Sequence, residues 1–256
     1  MPNKAYTLIT GASRGIGKAL AYECASRGMN LLLTARTRDL LEDLEKDLEA
    51  KFGVEVLNYA VDLLDENAPK KLLHHCKEHN AEINVLINNA GFGINGKVWK
   101  ADLQDQLDSI KVNSLATVAI THTFLPMLLK QKQAYILNLG SVAAFMPIPF
   151  LNVYAATKTF NLSFSRALNA ELSGTHVKVS CLCPGGTKSE FFKRAKMAID
   201  DSHLMPAEDV AKIAIDGMLS GKEVIVPGRS NKLVQLTAKL LPHSLLLNRY
   251  SAMLKR

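Results

Sequence analysis

Cysteine is scarce in this chain: four residues in 256, Cys24, Cys76, Cys181 and Cys183. A chain of this length buries about three quarters of its unfolded surface, so it needs neither disulfide nor metal to hold it together. Cys181 and Cys183 form a C-x-C pair, but no second Cys or His pair stands at zinc spacing. No metal is expected, and the four thiols read as small buried hydrophobes of a reducing compartment. Long apolar runs are missing too: none approaches the roughly 18 residues that a membrane span requires. Met1-Pro2-Asn3-Lys4 leads straight into an apolar segment. With no charged n-region, apolar h-region and cleavage site there, a cytoplasmic location is expected. No Pro/Gly/Ser-rich linker divides the sequence, and it contains no internal repeat.

Acidic residues are absent from 230–256, where Lys232, Lys239, Arg249, Lys255 and Arg256 supply +5 of the formal net charge of +7. A domain that grips nucleic acid spreads its charge over a folded face with aromatics interleaved. Here the excess belongs to a tail, and no nucleic-acid partner is expected.

What the sequence does contain is an alternation of short apolar runs and longer amphipathic ones, the mark of a parallel sheet with crossover helices. Strands are expected at 6–10, 30–35, 54–61, 83–88, 134–140, 177–183 and 223–226. Helices are expected at 15–28, 38–51, 66–79, 103–130, 153–173 and 207–220. The second helix shows the pattern: Leu40, Leu41, Leu44 and Leu48 make one stripe among Glu42, Asp43, Glu45, Lys46 and Asp47. Most strand candidates are continuous apolar runs, as strands covered on both faces require. Cys181 and Cys183, two apart on one strand, face the same packing layer. The fold class is α/β: one Rossmann-like doubly wound sheet of about seven strands over 1–229, followed by a basic, leucine-rich extension over 230–256. Right-handed crossovers gather the strand C-termini on one edge, where ligands bind.

Two patterns fall on that edge. Thr10-Gly11-Ala12-Ser13-Arg14-Gly15-Ile16-Gly17 follows the first strand and opens the first helix. Gly11 permits a tight turn, Gly15 and Gly17 let backbone approach a pyrophosphate, and the helix N-terminus offers free N–H donors. The second strand ends Thr34-Ala35-Arg36, with no carboxylate for ribose hydroxyls. Arg36, with Arg14 in the glycine turn, favours a 2′-phosphate and hence NADP(H). Far downstream, Tyr154 and Lys158 are spaced to share one helix face. A free tyrosine, at about 10, is too weak an acid near neutral pH, and an adjacent ammonium favours its ionised form. Ser141, just after the fifth strand, can donate to a substrate oxygen. The amide of Asn113, in the helix 103–130, can hold a water that passes protons toward Lys158.

On these residues the chain resembles the short-chain dehydrogenase/reductase family over about 5–227. Asn88-Asn89-Ala90-Gly91 is similar to the family's signature after the fourth strand, and Asn113, Ser141, Tyr154 and Lys158 to its catalytic set. The resemblance implies that Tyr154 is the acid/base and that Lys158 also bonds the nicotinamide ribose. Ser141 then positions substrate and Asn113 anchors a relay water. It further implies cofactor contacts from Gly11, Ser13, Arg14, Gly15, Ile16, Gly17, Arg36, Asp62 (toward the adenine), Leu63, Asn88, Ala90 and Gly91. Pro184, Gly185 and Thr187 would cradle the nicotinamide; Gly186 inside that segment is a mild departure. The segment 142–153 holds one polar residue, Asn152, and no Lys or Arg. With Phe145 and Phe150 there, and Phe191 opening a lid at 188–206, the expected substrate is an apolar ketone, aldehyde or alcohol. The activity implied is NADPH-dependent carbonyl reduction. The alternatives are an oxidative alcohol or hydroxysteroid dehydrogenase and a non-catalytic NADP-binding sensor. Helices 103–130 and 153–173 pair across a two-fold axis in the family, which implies a homodimer or homotetramer. In the tail, Leu233, Leu236 and Leu240 lie near helical spacing with Lys232 and Lys239 flanking. Such a segment can lie on an anionic membrane surface, but packing over the substrate end or a partner subunit is the preferred reading.

Overall fold

In a computed structural model, residues 4–195, 197, 202, 204–241 and 247 are described. Seven parallel strands form one sheet: β1 (Lys4–Thr10), β2 (Asn30–Ala35), β3 (Val56–Ala60), β4 (Ala81–Asn88), β5 (Ala134–Leu139), β6 (Val177–Leu182) and β7 (Val224–Ile225). Their order is β3-β2-β1-β4-β5-β6-β7. The chain reverses direction across the sheet between β1 and β4, and the crevice beyond that pair is where a doubly wound sheet takes its ligand.

Period-two alternation decides which side of the sheet each residue serves. Leu31 and Leu33 join a core with α1 (Gly15–Ser26), α2 (Arg38–Phe52) and α8 (Ala207–Leu219). Leu32, between them, joins the opposite core with α3 (Ala68–Glu78), α5 (Ala116–Leu128) and α6 (Asn152–Glu171). The result is three layers with apolar strands at the centre, as the continuous runs require. No helix among the described residues is long and apolar enough to cross a membrane.

The expected helix 103–130 is interrupted. It divides into α4 (Leu103–Ile110), a π-helical turn at Lys111–Leu115, and α5. The wider turn surrounds Asn113, whose main-chain carbonyl accepts from Thr117 Oγ1 (3.0 Å) and Asn161 Nδ2 (2.9 Å). Those side chains take part of the bonding that a regular helix makes internally, and such π turns gather at functional sites. Sequence periodicity gave no expectation for a 3₁₀ turn at Val142–Phe145 or for α7 (Phe191–Arg194), whereas α9 (Arg229–Leu240) takes up the helical spacing of Leu233, Leu236 and Leu240. Cys181 and Cys183 do share one layer, with sulfurs 3.8 Å apart against Leu162 and Val226. A side chain at Gly140 would strike both of those sulfurs.

Candidate active site

The strand C-termini enclose a cleft of ≈ 390 Å³. Gly11, Ser13, Arg14, Gly15, Ile16 and Gly17 line it, with Arg36, Asp62, Leu63, Ala90 and Gly91. Gly11 and Gly15 hold φ of +66° and +53°, which glycine adopts freely. At Gly17 a Cβ would lie 2.2 Å from the Gly11 carbonyl oxygen. Helix α1 begins in this turn with no side-chain cap and no acidic residue in its first turn. Its N–H groups and positive end therefore face the cleft, a setting suited to a pyrophosphate. Asp62 is fixed by accepting from the Leu64 N–H (3.0 Å). Arg36 stands exposed at the end of β2. These residues fit a nicotinamide dinucleotide.

The pair Asn88 and Asn89 separates, as neighbours on an extended chain must. Asn88 turns inward, donating to Asn138 Oδ1 (2.8 Å) and Thr121 Oγ1 (3.0 Å). It does not line the cleft. Asn89 does, and its Nδ2 donates to the carbonyls of Thr10 (2.9 Å) and Gly11 (3.2 Å). This amide braces the glycine turn, a role the sequence did not assign to it.

Helix α6 starts after Phe150, held at φ +65° while its carbonyl accepts from the Gly96 N–H (2.7 Å). The first turns of α6 bring Tyr154 and Lys158 under the cleft. Lys158 is 1 % exposed. Its Nζ donates to the Leu139 carbonyl (2.9 Å) and lies 5.5 Å from the Tyr154 ring centroid. A Cβ at Gly91 would sit 3.4 Å from that Nζ, so the absence of a side chain there leaves the ammonium a path to the cleft. Burial disfavours the cation and lowers the Lys158 pKa to about 8. Burial also raises the Tyr154 pKa to about 12, and a hydrogen bond from Ser141 acts in the opposite direction. The sequence suggested that the lysine would pull the phenol down. In the protein alone, desolvation wins, and the phenol is a protonated donor. Ser141 is held beside it, its Oγ accepting from the Ala143 N–H (3.1 Å).

Asn113 is buried, and its side chain is engaged by protein. Oδ1 accepts from the Phe92 N–H (3.0 Å), while Nδ2 donates to the Phe92 carbonyl (2.9 Å) and Thr157 Oγ1 (3.0 Å). The amide thus fixes the turn at 91–93 beside Tyr154 rather than standing open to a water. Asn161 was not among the expected residues. Its Nδ2 bridges the Asn113 carbonyl and the same Leu139 carbonyl that holds Lys158 (3.1 Å). The available signal was helical phase: 154, 158 and 161 follow one face.

Pro184, Gly185 and Thr187 follow β6 and do not line the cleft. The Pro184 carbonyl accepts from the Val142 N–H (2.9 Å), which places that segment beside Ser141. Thr187 is buried and donates to the Gly185 carbonyl (3.1 Å). The following segment folds over the cleft. Glu190 forms ion pairs with Arg14 and, at 3.6 Å, with Arg194. Phe191 lies 5.0 Å from Tyr154, ring to ring. Phe145 packs against the buried cluster that holds Leu162 and Val226 and against the one formed by Met146 and Ala238. Of the three expected substrate-facing aromatics, the structure brings only Phe191 against the Tyr154 ring.

A dinucleotide cleft at the sheet's switch point, with a tyrosine, a lysine and a serine at its inner end, defines an oxidoreductase of the nicotinamide-dependent class. The chain belongs to the short chain dehydrogenase family, whose family model matches residues 5–199. It is 31 % identical to the NADP-dependent 3-hydroxy acid dehydrogenase of Schizosaccharomyces pombe, covering 86 % of this chain and 88 % of that one. It is 35 % identical to sulfoacetaldehyde reductase 2 of Chromohalobacter salexigens, covering 80 % and 85 %. Among solved structures, a short-chain dehydrogenase from Sphingobium yanoikuyae in complex with NADPH superposes with a TM-score of 0.83 at 29 % identity, covering 93 % of each chain. The protein is therefore a short-chain dehydrogenase/reductase that binds NAD(P) and acts on alcohol and carbonyl groups.

The glycine turn gives a direct test. Gly17→Ala forces the Gly11 carbonyl and the Asn89 amide apart, and overpacking of this kind weakens dinucleotide affinity by about tenfold or more. Isothermal titration with the cofactor checks it; unchanged affinity contradicts this reading of the turn.

Proposed function

We propose that this chain is an NADPH-dependent reductase of apolar ketones or aldehydes. The observation that carries the reading is the charge at the β2 end of the cleft. Arg14 of the glycine turn and Arg36 line the cleft, and β2 ends Thr34-Ala35-Arg36 with no carboxylate there to accept ribose hydroxyls. The yeast relative is NADP-dependent and the Sphingobium structure holds NADPH, which supports the same choice.

When bound, NADPH supplies a hydride to the carbonyl carbon. The protein supplies the rest. Ser141 and Tyr154 hold the carbonyl oxygen, and the Tyr154 phenol gives that oxygen its proton. Lys158, with Leu139 taking one of its three N–H groups, turns the others toward the phenol and the ribose hydroxyls. Positive charge beside the phenol favours the phenolate left after proton transfer. Asn113 and Asn161 hold this arrangement through Phe92 and Leu139. Both relatives are named for substrates that carry an acid group. The wall 142–153 of this chain offers no Lys or Arg to meet one, which supports an apolar carbonyl. An oxidative alcohol dehydrogenase is the second reading, favoured by the same site run in reverse. Retention of both Tyr154 and Lys158 speaks against a non-catalytic sensor. A homodimer or homotetramer is also part of the proposal: Leu115 beside α5 and Phe160 on α6 are exposed on the helices that would pair.

Two measurements test this. A charge-assisted bond to the 2′-phosphate contributes about 1.5–3 kcal/mol, so kcat/KM with NADPH should exceed that with NADH by about tenfold or more. A ratio at or below unity contradicts the cofactor choice. For pH, reduction requires a protonated phenol and a charged ammonium. With Tyr154 at about 12, the phenol stays protonated across the working range. With Lys158 at about 8, the cation is present below that pH and lost above it. The kcat/KM for reduction is therefore level below pH 8 and declines above it, as kcat/KM follows groups of the free enzyme. A profile level to about pH 10 contradicts the role given to Lys158.

A further inference from the structure

Helix α9 presents two apolar faces, and the fold uses only one. On the inner face Val234 and Ala238 pack against Phe145, Met146 and Ile148. Asn231 closes over Gly185, where a Cβ would lie 2.3 Å from its Oδ1. The sequence favoured packing over the substrate end or a partner subunit, and α9 packs on the segment 145–148 that follows Ser141. On the outer face Leu233, Leu236 and Leu240 are 61 %, 53 % and 72 % exposed. With Arg229 they run at helical spacing along one line, and Lys232 stands exposed beside it. From residue 229 to the end of the sequence there is no acidic residue.

Charge chooses the occupant. In a two-fold contact the same patch meets itself, which would set Arg229 and Lys232 against their own copies. An anionic lipid surface complements them instead. A leucine stripe edged by cations is the pattern of a helix lying in the boundary between headgroups and acyl chains. We propose that α9 docks this protein on anionic membrane surfaces, with Leu233, Leu236 and Leu240 entering the boundary and Arg229 and Lys232 at the level of the lipid phosphates. Because the inner face of α9 rests on the segment 145–148, docking holds the substrate end close to the lipid. That consequence rests on the apolar substrate proposed above; the docking itself does not.

The test is co-sedimentation of the full chain with phosphatidylcholine vesicles, with and without phosphatidylglycerol. The expected result is binding to the anionic vesicles, weakened by high salt. A Leu233→Ser/Leu236→Ser/Leu240→Ser variant and an Arg229→Glu/Lys232→Glu variant should each lose about tenfold or more in partitioning. Circular dichroism and NADPH binding verify that both variants are folded. No binding of the wild type to anionic vesicles at low salt overturns the proposal. So does wild-type partitioning by the folded leucine variant, or a change in its oligomeric state with partitioning intact. A failure of the apolar-carbonyl reading would leave vesicle binding untouched, so the two can fail separately.

Discussion

The site depends on an ammonium kept almost entirely out of water. Lys158 is 1 % exposed, with one main-chain carbonyl at hydrogen-bond distance and no carboxylate partner among the described residues. A charge placed that way is costly, and burial shows that cost by moving the pKa down to about 8. The cost makes the group useful. An under-solvated cation interacts strongly with whatever oxygen comes within reach. The nearest candidates are the Tyr154 phenol, four residues earlier on the helix, and a ligand's hydroxyls above Gly91. A carboxylate beside Lys158 would remove that cost and the attraction for other oxygens together.

The neighbouring features hold that cation in place. Leu139 ends β5 and offers its carbonyl to both Lys158 and Asn161. Asn161 reaches across to the π turn, whose Asn113 fixes Phe92 and so the turn at 91–93. Gly91 and Gly93 stay small there because a Cβ at either would crowd Asn113 or Tyr154. The sheet's switch point between β1 and β4 supplies the cleft, and Asn89 ties that cleft's glycine turn to β4. The cleft at the strand ends and the Tyr154–Lys158 face of α6 are thereby held on one frame, of the kind precise catalysis demands. Glu190 adds a strap, joining Arg14 at one end of the chain to the segment that carries Phe191.

Much of this was readable in the residues, because it rests on local rules. Strand β2 fell at 30–35 as expected, since its apolar run is bounded by Asn30 and Arg36. The Tyr154–Lys158 face followed from helical geometry, and the cleft lining at Gly11–Gly17, Arg36 and Asp62 from residues placed after strands. The remainder turns on tertiary balance. Sequence spacing brings the lysine to the tyrosine but says nothing of how deeply either is buried, so the direction of the Tyr154 shift was not legible. The π turn at 111–115 has its Asn113 carbonyl bonded by Thr117 and by Asn161, a residue on another helix. Asn88 and Asn89 differ only in strand phase, and shifting that phase by one residue exchanges their surroundings. Residues 239 (its side chain), 242–246 and 248–256 lie outside the described residues, so the expectations for Lys239, Arg249, Lys255 and Arg256 rest on sequence alone. The same holds for part of the segment expected to form the lid at 188–206.

The central claim is that a half-buried phenol, protonated in the free protein, delivers the proton. The most direct measurement is the single-turnover rate of Tyr154→Phe with NADPH and a ketone, alongside cofactor affinity by titration. Removing the hydroxyl should slow the chemical step by about a hundredfold or more, the range for loss of a general acid, while NADPH binding stays near wild type. Undiminished turnover in the folded variant would contradict the account.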